Sequence, residues 1–447
     1  MVTLVAQTGI CSHITHPCQS PATGPIRKFG QLARATTGST VFLYRLLLSF
    51  FAAGTLGRAL RRGGIAAARS RLTPGTPVPG AHVWLHGASN GELASVRPLL
   101  ERLIAARPDL HWLVTANTDT GVALAKRWDL PRVTARLAPL DLHGPTRRIM
   151  LGWQVRAHIA LEAELWPNRF ITCPGPVLLL GARMSAGTAR SWARLPKLAR
   201  RTLNRVGFAS AQDAASAERL ADLGLPASAR GPVVDLKAFY APPAPVPDPG
   251  LDAALPRHLT WLAASTHEGD DQIALAAHKA CLRDTPDLKL ILAPRHPRRA
   301  DEIAEDARAQ GLTVGRRSRG EDPAKAQVYL ADTLGEMPLW YARAGRVFIG
   351  GTLSDRGGHT PYEPAAFGAA LIHGPDTRNF TAAFSRLRGI ALEITDADTL
   401  ARALTALQDP AEQEKSGSAA CAALRQDSNL DTLAKSVLMH LPPPERT

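Results

Sequence analysis

The chain has 447 residues, 45% hydrophobic and 5% aromatic, with 36 Gly and 35 Pro, a length that fits two domains with a core each and a composition closer to an α/β core than to a β-sandwich. A formal net charge of +14 and an isoelectric point near 10.1 favour acidic partners: nucleic acid, anionic headgroups or phosphorylated substrates. The five cysteines (Cys11, Cys18, Cys173, Cys281, Cys421) are scattered without a C-x-x-C pair, which argues against a structural zinc or a disulfide framework and fits a reducing compartment.

Residues 1–40 are polar and unpatterned and read as a disordered extension. An apolar run, 41–56, follows, interrupted by Arg45 and trailed by Arg58, Arg61, Arg62, Arg69 and Arg71. It is short for a span. With its basic flank, the segment 41–62 predicts a membrane anchor or interfacial helix that leaves the next domain cytoplasmic; a buried first helix is the other reading. Strand-like runs then appear at 83–86, 112–115, 157–160 and 177–180, with amphipathic stretches such as 93–106 and 121–128 between them. A Pro-rich linker over 241–256 separates a first domain, 63–240, from a second, 257–447. There the runs are 258–263, 289–293, 327–330, 346–349 and 369–373, with helical patterns at 271–282 and 300–310. This alternation predicts two doubly wound α/β domains facing a cleft.

Four times a strand-like run leads to S/T-x-x-E, the capping box that opens a helix: Ser89 to Glu92, Ser265 to Glu268, Thr333 to Glu336 and Thr360 to Glu363. A capped helix directly after a parallel strand sets its N-terminus at the carboxyl edge of the sheet, where open α/β folds bind ligands. Glu92 either caps Ser89 or serves as a base, and a carboxylate reaching back to a backbone N–H is less free to take a proton. Glu162 and Glu164, at the end of the run 157–160, suit acid–base or electrostatic work; solvated charges are the alternative. Arg295, in Pro294-Arg295-His296-Pro297, offers a phosphate grip or a basic turn. The glycines Gly350, Gly351, Gly357 and Gly358 open a loop before Thr360-Pro361-Tyr362-Glu363, where exposed N–H groups and a Glu suit a nucleotide. No G-K-[ST] P-loop and no G-x-G-x-x-G after the first strand occur. A basic stretch from Arg190 through Arg194, Lys197, Arg200, Arg201 and Arg205 reads as a solvated face or one for anionic headgroups.

In their order and number these motifs resemble the 3-deoxy-D-manno-octulosonic acid (Kdo) transferases, from about Leu43 to the C-terminus. The resemblance rests on His86-x-x-Ser89-x-Gly91-Glu92, Glu162-x-Glu164-Leu165-Trp166-Pro167-Asn168, Ala182-Arg183-Met184-Ser185 and Ala211-Gln212. It continues in Ser265-Thr266-His267-Glu268-Gly269, Pro294-Arg295-His296-Pro297, Asp332-Thr333-Leu334-Gly335-Glu336, Gly357-Gly358-His359-x-x-x-Glu363-Pro364 and Gly374-Pro375 with Asn379-Phe380. It implies a GT-B glycosyltransferase at the cytoplasmic face of the inner membrane. Such an enzyme moves Kdo with inversion from CMP-Kdo, on the C-terminal domain, to a lipid A precursor on the N-terminal one. By resemblance the base falls on Glu92 and a transition-state stabiliser on Glu162. CMP contacts fall on Pro294 and Arg295, on Leu334, Gly335 and Glu336, and on Thr360, Pro361, Tyr362 and Glu363. No cofactor, metal or nucleic acid is expected, and no convincing D-x-D motif is present. The chain departs from the family at Thr360, where Asn is usual, and in the G-x-L-K-F-D stretch. An ungapped match there sets Val234 at the stabilising Lys; Lys237, three residues later, serves only if the loop is reshaped. A related transferase with another acceptor or donor, or a non-catalytic CMP-sugar or lipid binder, is the alternative.

Overall fold

The computed structural model describes residues 39–444 except 74, 243–246 and 426; the extension expected over 1–40 lies almost wholly outside them. The first sheet holds β1 (His82–Gly87), β2 (His111–Ala116), β3 (Val133–Leu137), β4 (Val155–Leu161), β5 (Val177–Ala182) and β6 (Val206–Ala211) in the order β3-β2-β1-β4-β5-β6. The second holds β7 (Thr260–Thr266), β8 (Lys289–Pro294), β9 (Val314–Arg316), β10 (Val328–Leu330), β11 (Arg346–Ile349), β12 (Ala370–His373) and β13 (Leu392–Glu393) in the order β13-β12-β11-β7-β8-β10-β9. Every pairing is parallel. Helices cover both faces, so central strands such as Val177–Ala182 are buried along their whole length and read as continuous apolar runs. In each sheet the strand order reverses beside the first strand of the unit, between β1 and β4 and between β7 and β11. A crevice opens at the carboxyl edge of such a reversal.

The boundaries differ from those expected. The helix Asp427–His440 sends Leu430, Leu433, Ala434 and Val437, with Leu441 beyond it, into the core of the first unit beside Val83, Leu99 and Leu236. Arg102 Nε meets Asp431 Oδ1 at 2.8 Å. The second domain therefore does not run to 447; its own core ends with Ala420 and Leu424. The linker is also shorter than 241–256, because Pro249–Ala254 is helical and buries Leu251 and Leu255 in the second core. Composition marked the Pro-rich break, but an amphipathic C-terminal helix carries no sign of which core receives it.

The helix expected over 41–62 runs Ser39–Ser70 and breaks where Gly64 adopts φ 67°. Its first half is anchored by polar contacts: the Tyr44 hydroxyl donates to Asp141 Oδ2 (2.8 Å), and Arg45 donates to Asn168 Oδ1 (3.1 Å) and lies 2.9 Å from His143 Nδ1. Arg45 thus interrupts the apolar run to tie the helix down. Leu48 and Ala52 are buried, whereas Leu46, Phe50, Phe51, Leu60 and Ile65 face out, Phe50 at 70% exposure. Among the described residues no helix is long and apolar enough to cross a membrane.

Candidate active site

Of the four expected capping boxes, one forms in half, with Ser89 as the cap but the Glu92 carboxylate on Ala88 N rather than on Ser89 N. Ser89 (φ −125°, ψ 165°) accepts from Glu92 N at 3.3 Å and opens the helix Asn90–Ala106. Ser265 sits in the left-handed region (φ 56°), the wrong backbone for a cap. The helix Asp270–Cys281 starts instead from Gly269, whose N–H meets Gln272 Oε1 at 2.8 Å. Glu336 occupies the cap position of Met337–Ala342, and its carboxylate is gripped by Arg317 (2.8 and 3.2 Å) and by the Thr333 hydroxyl. Tyr362–Ala366 begins one residue later than expected, with Thr360 Oγ1 3.4 Å from Tyr362 N.

The crevice between β1 and β4 gathers three carboxylates. Glu92 Oε2 accepts from Ala88 N (2.7 Å), one residue before the cap, and Ser89 Oγ donates to Oε1 (3.1 Å). Burial, then the charge of Glu162, raise its pKa to about 7 despite these bonds. Its place at the helix start is therefore compatible with taking a proton: the helix start holds the carboxyl, and its surroundings raise its basicity. Glu162 ends β4 in left-handed backbone (φ 46°), fixed by Glu162 N to Leu180 O (3.0 Å) and Arg183 N to Glu162 O (3.1 Å). A non-glycine residue held there costs of the order of 1 kcal/mol or more, strain that concentrates at functional sites.

Glu164 does different work. Its Oε2 accepts from His86 Nε2 (2.9 Å) and Trp166 Nε1 (2.6 Å). Burial opposes ionisation, yet the bonds from His86 and Trp166 hold this carboxyl below its usual range. Burial and the Arg169 charge drop His86 to about 4, so the ring is neutral. A carboxylate only accepts, so His86 carries its proton on Nε2 and takes a bond from Thr115 Oγ1 at Nδ1 (2.9 Å); Thr115 accepts in turn from Trp84 Nε1 (2.8 Å). Glu164 is spent in this buried chain, and Glu162 remains available.

Lys237 reaches Glu162. Its ammonium pairs with Glu162 Oε1 and lies 5.7 Å over the Phe380 ring. The short helix Leu236–Phe239, capped by Asp235 Oδ1 on Lys237 N (3.0 Å), swings the side chain there, while Val234 is buried in the first core. Lys237 thus faces the cleft, and Val234 is a core residue.

The second unit closes the site from across the cleft. Pro294 and Arg295 end β8, Leu334 (72% exposed), Gly335 (φ 87°) and Glu336 follow β10, and the Thr360–Glu363 segment follows β11, all at one carboxyl edge. Arg295 is exposed and has no ion-pair partner among the described residues. Glu363 faces back toward the first unit: a Cβ added at Gly91 would lie 3.9 Å from its Oε1. Burial raises its pKa, and Lys237 offsets part of this. Arg183 Nη2 to Asn379 Oδ1 (3.3 Å) is a second bridge over the cleft. Sequence reasoning missed Arg317, whose partner Glu336 lies 19 positions away; Asn379, a motif residue given no role, also holds Arg356 O (2.8 Å) and Gly358 O (3.2 Å). Arg205 leaves the expected cationic face to bond Phe170 O (3.3 Å) and Cys173 O (2.6 Å).

A carboxyl raised to about 7, a Lys–Glu pair and a sheet edge with an unpaired arginine face one cleft. A family profile described as "3-Deoxy-D-manno-octulosonic-acid transferase (kdotransferase)" matches residues 59–239. The 3-deoxy-D-manno-octulosonic acid transferase of Bordetella pertussis is 34% identical over 397 residues, 81% of this chain and 89% of that one. That of Haemophilus influenzae is 32% identical over 361 residues, 76% of this chain and 82% of that one. A UDP-GlcNAc 2-epimerase from Neisseria meningitidis bound to UDP-GlcNAc superposes with a TM-score of 0.55 at 11% identity, over 80% of this chain and 100% of that one, which establishes the shared two-unit GT-B fold alone. The chain belongs to the 3-deoxy-D-manno-octulosonic acid transferase family.

Proposed function

We propose that the chain transfers Kdo from CMP-Kdo to a lipid A precursor, lipid IVA, in lipopolysaccharide biosynthesis. Glu92 takes the proton of an acceptor glucosamine hydroxyl. The freed oxygen attacks C2 of Kdo from the face opposite the phosphate, the C2–O bond to phosphate breaks, and CMP carries off the electron pair with inversion. The Glu162–Lys237 pair stabilises the charge that develops between them. The observation that carries this reading is the Glu92 carboxyl, poised near pH 7 at the crevice of the first sheet. On the donor side the unpaired Arg295 suits the phosphate, and exposed Leu334 with Gly335 gives the base an apolar edge with a close backbone. Thr360, Pro361, Tyr362 and Glu363 complete the CMP contacts, with Pro294 behind Arg295, whereas Glu336 is already gripped by Arg317 and acts by fixing its loop.

The lipid acceptor reaches this site at the cytoplasmic face of the inner membrane. Supporting this, the outward residues Leu46, Phe50, Phe51, Leu60 and Ile65 line one helix with exposed Arg58, Arg61 and Arg69. The helix Pro196–Leu203, carrying exposed Lys197 and Arg200, packs against it. An apolar row edged by cations suits a surface of anionic headgroups.

Glu92→Gln tests the core of the proposal, since Gln still accepts from Ala88 N–H. It should melt like the wild type while Kdo transfer from CMP-Kdo falls by roughly 10²–10⁴-fold; near-normal turnover would remove Glu92 from the role of base. Arg295→Ala should weaken CMP binding in calorimetry, and an unchanged affinity would reject the donor-site assignment.

A further inference from the structure

Three histidines follow three neighbouring strands of the second sheet: His267 after β7, His296 after β8, and His359 after β11. The first and last flank the crevice where the strand order reverses. Their rings lie within 2° of parallel with centroids 5.2 Å apart, yet their Nε2 atoms are only 3.0 Å apart. Those distances describe rings meeting edge to edge in one plane rather than face to face. An N–H···N bond of this kind holds one proton, with one ring donating and the other accepting. Among the described residues neither Nδ1 has a hydrogen-bond partner. His296 stands edge-on to His267, centroids 6.1 Å apart.

The surroundings are cationic. Arg295 and Arg356 are exposed beside the pair without ion-pair partners among the described residues. Each nearby carboxylate is engaged through one oxygen: Asp270 Oδ2 accepts from His267 N (2.9 Å) and Gly351 N (2.7 Å), and Asp271 Oδ2 pairs with Arg299 (2.5 Å), while Oδ1 of each is buried without a hydrogen-bond partner among the described residues. Gly351 (φ 68°) forms the floor, where a Cβ would lie 3.3 Å from Cδ2 of both rings. Burial, then the charges of His267, Arg295 and His296, take His359 down to about 4. Burial, with Arg356, His296 and Arg295, also lowers His267, and Asp271 acts weakly the other way. The ligand-free pair is therefore neutral at pH 7, holding vacant proton sites among fixed positive charges.

We infer that His267 and His359 form a shared-proton clamp for the phosphate of the nucleotide, a subsite that takes up a proton when it holds a phosphomonoester dianion. The inference deepens the donor-site reading and depends on it. A sugar phosphodiester brings one negative charge; the monoester left after transfer brings nearly two, with a second pKa of about 6. The added charge raises the affinity of the pair for one further proton beyond the one each neutral ring carries, taken from solvent, and the pair becomes a cation as the leaving group becomes a dianion. Binding the monoester makes and breaks no covalent bond other than that N–H.

The full chain is titrated with CMP and with cytidine by calorimetry between pH 6.5 and 8, in two buffers of unlike protonation heat. CMP should bind with uptake of about one proton and tighten as pH falls, by up to roughly tenfold per pH unit, the limit for one proton. Cytidine should bind with none. His359→Asn and His267→Asn keep hydrogen-bonding capacity without titrating there, so each should abolish the uptake and flatten the pH dependence. The clamp is overturned if wild type binds CMP better than cytidine with no proton uptake, or if both variants keep the wild-type uptake; the donor site survives either result. CMP binding no tighter than cytidine overturns the donor site and the clamp together.

Discussion

Glu92 is held by two bonds that favour its charge and by burial beside Glu162 and Glu164 that opposes it, and burial wins. The base works only when deprotonated. The rate constant kcat/KM should therefore climb through a pKa near 7 and level off above it, falling by up to about tenfold per unit on the acid side. A profile flat from pH 5.5 to 8 would contradict the assignment. Raising the folded pKa of a carboxyl means that its ionised form destabilises the fold, a cost that grows as pH rises from the unfolded value toward 7. Glu92→Gln should consequently be no less stable than wild type at pH 8 in thermal melts. The proposed chemistry also involves Lys237, which pairs with Glu162. Lys237→Ala leaves Glu162 and Glu363 without their cation, and transfer should drop about 10²-fold or more. Adding Val234→Lys should not restore it, because that position points into the core with Leu236 and Phe239; rescue by the double variant would restore the ungapped match. The positions of Glu92, Glu162 and Arg295 at strand ends facing the cleft were legible in the sequence, because each follows an apolar run; the roles given to them came from the resemblance. The division of labour between Glu162 and Glu164 was not, since it depends on His86 and Trp166 folding against one of them.

At the scale of elements, the nine central strands were legible and the four unread ones are the four sheet edges: β3 and β6 in the first sheet, β9 and β13 in the second. Central parallel strands are buried on both faces and appear as apolar runs. Edge strands are short or mixed, as in Val-Thr-Ala-Arg-Leu of β3 or the two residues of β13. The capping boxes show the converse. The pattern S/T-x-x-E occurs four times, but the backbone at Ser265 and the Arg317 partner of Glu336 redirect two of them, and neither leaves a local trace. The N-terminal helix was legible as a helix from its apolar run with a basic flank, read as an anchor, an interfacial or a buried element; the polar ties of Arg45 were not legible. Phe50→Asp with Phe51→Asp alters two outward side chains that make no core contact. Binding to vesicles containing anionic lipid should fall severalfold in sedimentation, with the melting temperature little changed; equal sedimentation of wild type and variant would reject the surface contact.

Over the whole molecule the two reversal crevices face each other, and the chain crosses between units twice: after Phe239 and again after Leu424. The second crossing decides what an independent unit is. The core clusters of the second sheet draw on Leu251, Leu255, Ala420 and Leu424 and on nothing beyond, whereas Leu430, Leu433 and Val437 complete the first core. A fragment of residues 248–425 therefore contains the core of this unit apart from Ala238, with both crevice walls of the second sheet. It should melt cooperatively and bind CMP. A fragment of residues 257–447 loses Leu251 and Leu255 and exposes the apolar face of the C-terminal helix, which has no core of its own to enter. It should melt several degrees lower, since each large buried side chain removed costs about 2–5 kcal/mol, and bind an apolar dye that the shorter fragment ignores. Equal stability and equal dye binding would return the boundary to 257–447 and make the helix an appendage of the second unit.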